Sequence, residues 1–114
     1  MRDLERLTRL AIVPLPAEID MSNEDDVGEQ LRAAFAPGVA VVIADLGLTV
    51  FCDCAGVRHL MLAHQMAASA NAELRVVVQS AGVLRVLAVL GANRVLRIFP
   101  GLGAALMAGP ADSD

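Results

Sequence analysis

The sequence contains no lysine, tryptophan or tyrosine, and its 114 residues include only three phenylalanines and two cysteines. A nucleic-acid surface needs a clustered basic face or aromatic side chains on which bases can stack. The nine arginines are scattered along a chain whose net charge is -4, and the phenylalanines are dispersed. Nucleic acid is therefore not expected as a partner.

Long apolar runs are also absent, although 56% of the residues are hydrophobic. No run reaches the roughly eighteen residues that a membrane-spanning helix needs. The charged opening residues lack the apolar stretch of a secretory signal, and Cys52 and Cys54 are too close together for an ordinary structural disulfide. These features predict a single domain without a membrane span, in the reducing environment of the cytoplasm.

Short apolar runs rich in β-branched residues alternate with amphipathic segments. The strands are predicted at Leu10–Leu15, Val39–Ala44, Leu74–Val78 and Val95–Phe99. Pro14 marks an edge, an end or a bulge of the first of these. The helices are predicted at 24–35 with Asn23 as the cap, at 55–70, at 81–90 with Ser80 as the cap, and at 102–108. This alternation predicts an α/β sandwich whose mixed, mostly parallel sheet has about four strands, with about four helices.

The segment at 51–57 reads Phe-Cys-Asp-Cys-Ala-Gly-Val and lies where a buried strand passes into a helix. At a helix start, the dipole and the unpaired N–H groups favour an anion and would make the Cys54 thiol reactive, whereas Asp53 acts in the opposite direction. Cys52 is predicted to be a small buried hydrophobic residue. A redox-active Cys-x-Cys pair stays an alternative.

Few residues could carry catalysis. His59 and His64 lie five residues apart on one predicted helix, which is not the i,i+4 spacing of a helical metal pair. A nucleophile pair of Cys54 with His59 has no identifiable third residue to orient the imidazole. No glycine-rich phosphate-binding motif or zinc-protease motif is present. The sequence therefore predicts no enzyme, no cofactor and no metal site.

Three stretches, taken together, resemble the STAS domain, specifically the small bacterial anti-sigma factor antagonists. Residues 16–23 are similar to the segment that leads into the family's first helix, with Pro16-Ala17 in place of its small or glycine residues. Asp53-Cys54-Ala55-Gly56 aligns with a tetrad of Asp, a phosphorylatable Ser or Thr, a small residue and Gly. Residues 80–106 resemble the closing helix, glycine-containing turn, last strand, proline and final helix.

The resemblance implies a STAS domain at residues 8–108, an N-terminal extension at 1–7 and a disordered tail at 109–114. The family's first strand would fall on the charged residues 1–9, which form a poor strand sequence. That strand is therefore expected to be short or absent, and an uncovered sheet edge would invite pairing with another chain.

The resemblance also implies a regulatory binding module rather than an enzyme. In the family, the unphosphorylated antagonist binds an ATP-dependent anti-sigma kinase and frees the sigma factor, and phosphorylation of the tetrad hydroxyl abolishes that binding. Cys54 occupies the phosphoacceptor position here, so the usual off-switch is expected to be missing.

Several interpretations follow. The first is a constitutively binding antagonist, the second a scaffold that pairs with another STAS protein, a kinase domain or a second copy of itself, and the third a redox-regulated variant acting through Cys54. A small-ligand sensor stays open, as does a substitute phosphoacceptor at Thr49 or Ser22.

The predicted helix that begins near Cys54 offers a contact surface. If Val57, Leu60, Met61, Ala67 and Ala68 face the sheet, then the outward residues are Arg58, Leu62, Gln65, Met66 and Ser69. Leu84 on the next helix would extend this surface, and the buried residues of that helix are predicted as Val83, Val86, Leu87 and Leu90. The predicted partner-binding residues are Asp20, Asn23, Asp53, Cys54, Arg58 and Leu62.

Overall fold

The computed structural model describes residues 9–111, and the fold is that of this part of the chain. The strands are β1 (Leu10–Pro14), β2 (Glu18–Ile19), β3 (Val41–Leu46), β4 (Phe51–Cys52), β5 (Glu73–Val78) and β6 (Arg97–Phe99). The helices are α1 (Glu24–Ala34), α2 (Cys54–Ser69), α3 (Ala81–Val89) and α4 (Leu102–Met107), with a 3₁₀ turn at Ala92–Arg94.

The strands form a four-stranded sheet and a separate ribbon. The sheet has the order β1-β3-β5-β6, and β2 pairs with β4 to form the ribbon. Every strand pair among residues 9–111 is parallel. The predicted fold class, an α/β sandwich with a mostly parallel four-stranded sheet and four helices, is confirmed. The ribbon of two very short strands was not predicted.

Both faces of the sheet are covered, which explains the continuous apolar runs of β3 and β5. Side chains alternate along a strand, so Val42 and Ala44 join the larger core under α1, α2 and α3. Ile43 and Val77 point the other way and pack with Ala105 of α4. Truncating one large buried side chain in the larger core, such as Leu60, is expected to cost about 2–5 kcal/mol.

β1 lies at an edge of the sheet and pairs with β3 alone among the described strands. Pro14 is its last residue, so the missing N–H falls at the end of an edge strand, as predicted. Residues 1–8, on which the prediction of a short or absent first family strand mainly rests, lie outside the described residues.

The strand predicted at Val39–Ala44 begins and ends two residues later. The Val39 N–H donates to the Ala36 carbonyl and closes a turn, which keeps Val39 out of the ladder. Asp45 lies within the strand, opposite Val77 of β5. Its carboxylate accepts a hydrogen bond from the Gly47 N–H, 2.9 Å away, so the acidic side chain shapes the turn that follows.

The last strand is shorter than the predicted Val95–Phe99. The N–H groups of Val95 and Leu96 both donate to the Ala92 carbonyl. These bonds extend the 3₁₀ turn, and β6 starts only at Arg97.

The helices match their predicted positions, with two differences in burial. Ala68 and Leu90 are exposed rather than inward-facing. Leu90 lies at the C-cap of α3, and Gly91 follows with a φ of 77°, so the chain turns away before Leu90 can reach the core. Gly91 thus occupies the left-handed position in which a glycine commonly follows a helix. In the part of the chain from 9 to 111, no helix combines the length and the apolar character needed to cross a membrane.

Arg75 is a buried charge within β5. Its side chain donates to the carbonyls of Ala105, 2.7 Å away, and Gly109, 3.2 Å away, and forms a 3.2 Å ion pair with Glu73. Arg97 also pairs with Glu73 and donates to the Gly109 carbonyl. We call these five residues the Arg75 cluster. It ties α4 and the chain as far as Gly109 to the sheet, and residues 112–114 of the predicted tail lie outside the described residues.

Candidate functional site

The loop that carries Cys54 is positioned by the β2–β4 ribbon. Ile19 of β2 lies opposite Cys52 of β4, and the Asp53 N–H donates to the Ile19 carbonyl over 3.1 Å. Because the two strands are parallel, the segments that leave their carboxyl ends, at Asp20 and Asp53, emerge side by side. The carboxyl ends of parallel strands are where sites are commonly built.

Asp53 caps α2, and Cys54 is the first residue of the helix. Asp53 has an extended backbone, and its Oδ1 accepts a 2.8 Å hydrogen bond from the Gly56 N–H. The Cys54 side chain is exposed. Asp53 and Cys54 therefore have different roles. The Asp53 carboxylate caps the helix, and the Cys54 side chain at the helix N-terminus faces solvent.

Gly56 lets α2 begin directly against the ribbon. A Cβ at this position would lie 2.6 Å from the Cys52 Sγ and 2.8 Å from the Ile19 Cγ2. Such distances are far below carbon contact distances in a packed interior. The glycine is thus required by close packing between α2 and the two short strands.

Cys52 is a core residue, as predicted. It is 1% exposed, and its thiol donates to the Asp53 carbonyl over 3.6 Å. Burial, followed by the nearby Asp53 and Cys54, raises the pKa of the Cys52 thiol to about 11. Near neutral pH this thiol keeps its proton.

The β2–α1 loop is held by its own polar side chains. The Asn23 amide donates to the Glu18 carbonyl (2.7 Å) and accepts from the Asp20 N–H (3.0 Å). Asn23 is the N-cap residue of α1, as predicted, but its side chain makes no capping hydrogen bond because the amide closes the loop instead. The Ser22 hydroxyl and N–H both donate to the Asp20 carboxylate, which lowers the pKa of that carboxyl.

Arg58 and Leu62 follow Cys54 at intervals of four residues on α2. All three side chains are exposed, and Leu62 is 49% exposed. Val57 and Leu60 are buried on the opposite side, as predicted. Arg58 has no hydrogen bond or ion pair with any residue in the described range. The three residues form a line along α2 that faces solvent.

Exposed apolar side chains also occur on the elements near the start of α2. Met21 is 86% exposed, Phe51 50% and Leu84 40%. Met21 follows the ribbon strand β2, Phe51 belongs to β4, and α3, which carries Leu84, packs beside β4. We call the following residues the Cys54 surface: Met21, Phe51, Cys54, Arg58, Leu62 and Leu84.

Sequence reasoning missed Met21 and Phe51 as candidates. Strand alternation would have identified Phe51, since a buried Cys52 places its neighbour on the outer face. Of the six predicted partner-binding residues, Cys54, Arg58 and Leu62 are exposed. Asp20, Asn23 and Asp53 are half-buried and shape the two adjoining loops.

The two residues named as alternatives to a phosphoacceptor at position 54 differ in access. Thr49 is 1% exposed, and its hydroxyl donates to the Pro16 carbonyl over 2.8 Å. A kinase could not reach it without opening the loop. Ser22 is exposed, and its hydroxyl donates to Asp20 over 2.6 Å.

The first turn of α1 also approaches α2. Potential ligand atoms of Glu24, Asp25 and His59 all lie within 4.8 Å of one another. His59 is the histidine nearer to Cys54 in the sequence, and the spacing of the two histidines on α2 gave no sign of these partners.

Comparisons with known proteins agree with this fold. The STAS domain family matches residues 1–105 of the chain. No curated protein matches the chain by sequence.

Solved structures with the same fold come from bacteria and from mouse. An anti-sigma factor antagonist from Mycobacterium paratuberculosis superposes with a TM-score of 0.79 at 20% identity, over 86% of this chain and 83% of that chain. A Thermotoga maritima protein described as an anti-sigma factor antagonist gives 0.73 at 16% identity, over 83% and 84%.

The murine anion transporter called solute carrier 26 family member A9 gives a TM-score of 0.69 at 14% identity. The match covers 87% of this chain but only 17% of the transporter. At these identities the likeness concerns the fold alone.

Proposed function

This chain belongs to the STAS domain family, and on that premise we propose that it is a non-enzymatic regulator of the bacterial cytoplasm that acts like an anti-sigma factor antagonist. Its partner is an anti-sigma factor of the ATP-dependent kinase type. The observation that carries the proposal is the Cys54 surface, where the exposed N-terminus of α2 and Arg58 are accompanied by four exposed apolar side chains on α2 and on neighbouring elements. Grouped apolar residues with a polar border are typical of protein contact sites.

The loops behind this surface support a binding role. Asp53 and Asn23 use their polar side chains within the chain, on the Gly56 N–H and on the backbone of the β2–α1 loop. The surface is thereby preorganised, which reduces the entropy lost on binding. Cys54, Arg58 and Leu62 are left available to a partner.

Position 54 also bears on the family's phosphorylation switch, which we propose is lost in this chain. A phosphate at position 54 would add nearly two negative charges and bulk to the centre of the contact surface. A kinase that transfers phosphate to a Ser or Thr hydroxyl is not expected to use the Cys54 thiol. Binding is therefore proposed to be insensitive to ATP.

A binding assay with purified kinase-type anti-sigma factors, run with and without ATP, tests the surface. Leu62→Asp and Arg58→Glu are each expected to weaken binding by at least about tenfold, or about 1.4 kcal/mol. Matched controls are Met107→Asp on α4 and Arg94→Glu in the 3₁₀ turn, which are both exposed and away from the surface. The assignment fails if the surface variants bind as tightly as the controls, or if no such kinase binds.

Cys54→Ser tests the switch in the same assay. The serine variant is expected to be phosphorylated and then released when ATP is added, whereas the natural chain stays bound. Release of the natural chain by ATP would contradict the proposal. Ser22→Ala would then identify or exclude Ser22 as the acceptor, since its hydroxyl is the accessible one of the two alternatives.

A redox-responsive regulator is the second candidate, and the exposure of Cys54 favours it. Cys52 opposes an internal disulfide, because it is buried and its raised pKa keeps it protonated near neutral pH. Mild oxidation followed by the binding assay separates the two functions. A regulator of the first kind binds equally well before and after oxidation, whereas a redox-responsive regulator loses binding on oxidation and regains it after treatment with a thiol reductant. Pairing with a second copy would appear as a dimer in sedimentation velocity.

A further inference from the structure

We propose that Glu24, Asp25 and His59 form a binding site for a first-row divalent transition-metal ion, with Zn²⁺ as the probe of choice. The proposal does not depend on the Cys54 surface having a partner. It also departs from the prediction of no metal site, which considered only the spacing of the two histidines within α2.

The three side chains come from two helices that pack against each other. Glu24 and Asp25 lie in the first turn of α1, and His59 lies on α2. Their potential ligand atoms lie within 4.8 Å of one another. Atoms that bind one zinc ion at about 2.0–2.2 Å are at most about 4.4 Å apart. Small side-chain rotations therefore suffice, and the exposed Asp25 has room to make them.

One oxygen of this group is buried without a hydrogen-bond partner. Glu24 Oε2 is shielded from solvent and has no donor among the described residues. No hydrogen bond or ion pair joins the imidazole to either carboxylate within that part of the chain. A buried carboxylate oxygen without a donor is unfavourable, and a cation held between Glu24 and His59 would satisfy it.

The imidazole is seated against α1 by a glycine. A Cβ on Gly28 would collide with Nδ1 of His59 and lie 2.8 Å from its Cε1. Only a residue without a side chain lets the ring pack this closely on the helix backbone. Gly28 follows Glu24 at i+4, so it lies on the same face of α1 as the carboxylate. The ring is thus held where the carboxylates are, which is the kind of packing that fixes a metal ligand.

The local charge favours a cation, although the positive end of the α1 dipole opposes one. The N-terminus of α1 contributes roughly half a positive charge, while Glu24 and Asp25 contribute two negative charges and Asp26 adds a third nearby. One imidazole with two carboxylates suits zinc and its first-row neighbours, whereas Mg²⁺ and Ca²⁺ prefer oxygen ligands alone. Three protein ligands leave a position for water or for a group from a partner.

A bound ion would link α1 to α2. Both helices start at loops that adjoin the Cys54 surface. α1 follows the loop that contains Asp20, and α2 starts at Cys54. Occupancy is therefore expected to stabilise the fold, since an ion that binds only the folded chain shifts the unfolding equilibrium.

The test is a calorimetric titration of the chelator-treated chain with Zn²⁺, in a Cys54→Ser background that removes the exposed thiol as a competing ligand. One ion per chain is expected to bind, with a dissociation constant on the order of micromolar. His59→Ala and Glu24→Gln are each expected to weaken binding by at least about tenfold. His64→Ala is the matched control, since it removes the other histidine of α2 and should leave binding unchanged. Mg²⁺ should bind far more weakly.

Imidazole resonances of the same background protein give a second measurement that needs no change at the site. Zn²⁺ should shift the His59 signals and leave those of His64 in place, which keeps the proposal testable if His59→Ala fails to fold. The proposal is overturned if Zn²⁺ does not bind, if His59→Ala binds like His64→Ala, or if the ion shifts only the His64 signals.

Discussion

The Arg75 cluster and the Cys54 surface place arginine in opposite settings. Arg75 is 5% exposed, and its guanidinium is held by two backbone carbonyls and by Glu73. Arg58 is exposed and has no partner among residues 9–111. The difference separates two uses of a charged side chain. Both terminal nitrogens of Arg75 are bonded within the chain and stabilise the fold, although its buried Nε has no partner among residues 9–111. The Arg58 side chain is left for another molecule.

The polar residues beside the Cys54 surface fall between these cases. Asp53 and Asn23 are half-buried, and their hydrogen bonds stay within the chain. They are positioning residues for the loops rather than the most exposed contacts. Substitutions that change stability but not binding, or the reverse, test this division.

The largest effect is expected from Arg75→Met. The substitution leaves the Ala105 carbonyl without its donor and Glu73 with Arg97 as its remaining ion-pair partner in the described range. A buried carbonyl left unsatisfied costs about 1–3 kcal/mol and a lost hydrogen bond to a charged group about 1.5–3 kcal/mol, and urea denaturation would measure the combined loss. Arg58→Met is the matched control and should change the unfolding free energy by less than about 0.5 kcal/mol. Equal losses in both variants would remove the distinction between the two arginines.

Gly56→Ala is expected to lower the unfolding free energy by about 1–3 kcal/mol. The added methyl would collide with Cys52 and Ile19, at 2.6 and 2.8 Å. Gly103→Ala in α4 is the control, since a Cβ added there would meet no other atom within 4 Å. Alanine at that position should stabilise the chain by up to about 1 kcal/mol. A neutral result at Gly56 would show that α2 can move away from the ribbon.

Asp53→Ala and Ser80→Ala compare two helix caps of the same kind. Asp53 accepts from the Gly56 N–H and Ser80 from the Val83 N–H. Each substitution should cost about 1 kcal/mol of stability. Only Asp53→Ala is expected to weaken binding of the anti-sigma factor as well, since it disturbs the start of α2 next to Cys54. If Ser80→Ala weakens binding to the same extent, the effect reflects general stability.

The smallest expected effect on stability near neutral pH comes from the two thiols, which should differ in their reactivity. At pH 8 iodoacetamide should modify Cys54 and leave Cys52, as peptide mass spectrometry would show, and denaturant should make both reactive. The pKa of Cys52 is raised from 9.0 to about 11 in the folded chain. The unfolded chain therefore loses this proton first, so stability should fall as the pH rises from about 9 towards 11. Modification of Cys52 before Cys54 would contradict its burial.

The sequence by itself determined the features that depend on short-range pattern. Alternating apolar segments specified the α/β sandwich, and helical spacing correctly placed Val57 and Leu60 inward with Arg58 and Leu62 outward. Ser80 acts as a cap, as its position before an apolar run predicted. Each of these follows from residues within a few positions of one another, where backbone geometry dictates which side chains share a face.

Only the tertiary structure decided the contacts between distant segments. β2 and β4 have two residues each, which is too few for a periodic pattern to predict them as strands, and they pair where Ile19 and Cys52 meet across the ribbon. The hydrogen bonds of the Asn23 amide to the backbone of Glu18 and Asp20 are short in range, but they depend on the path of the loop that leaves β2.

The contacts of Arg75 and His59 were also decided by the tertiary structure. The Arg75 side chain is buried because α4 returns to offer the Ala105 carbonyl, and His59 meets Glu24 because Gly28 lets its ring approach α1. Each contact joins residues that are far apart in the sequence and near in space. The sequence determines which chemical groups these residues carry, but only the packing of the folded chain brings the groups into contact.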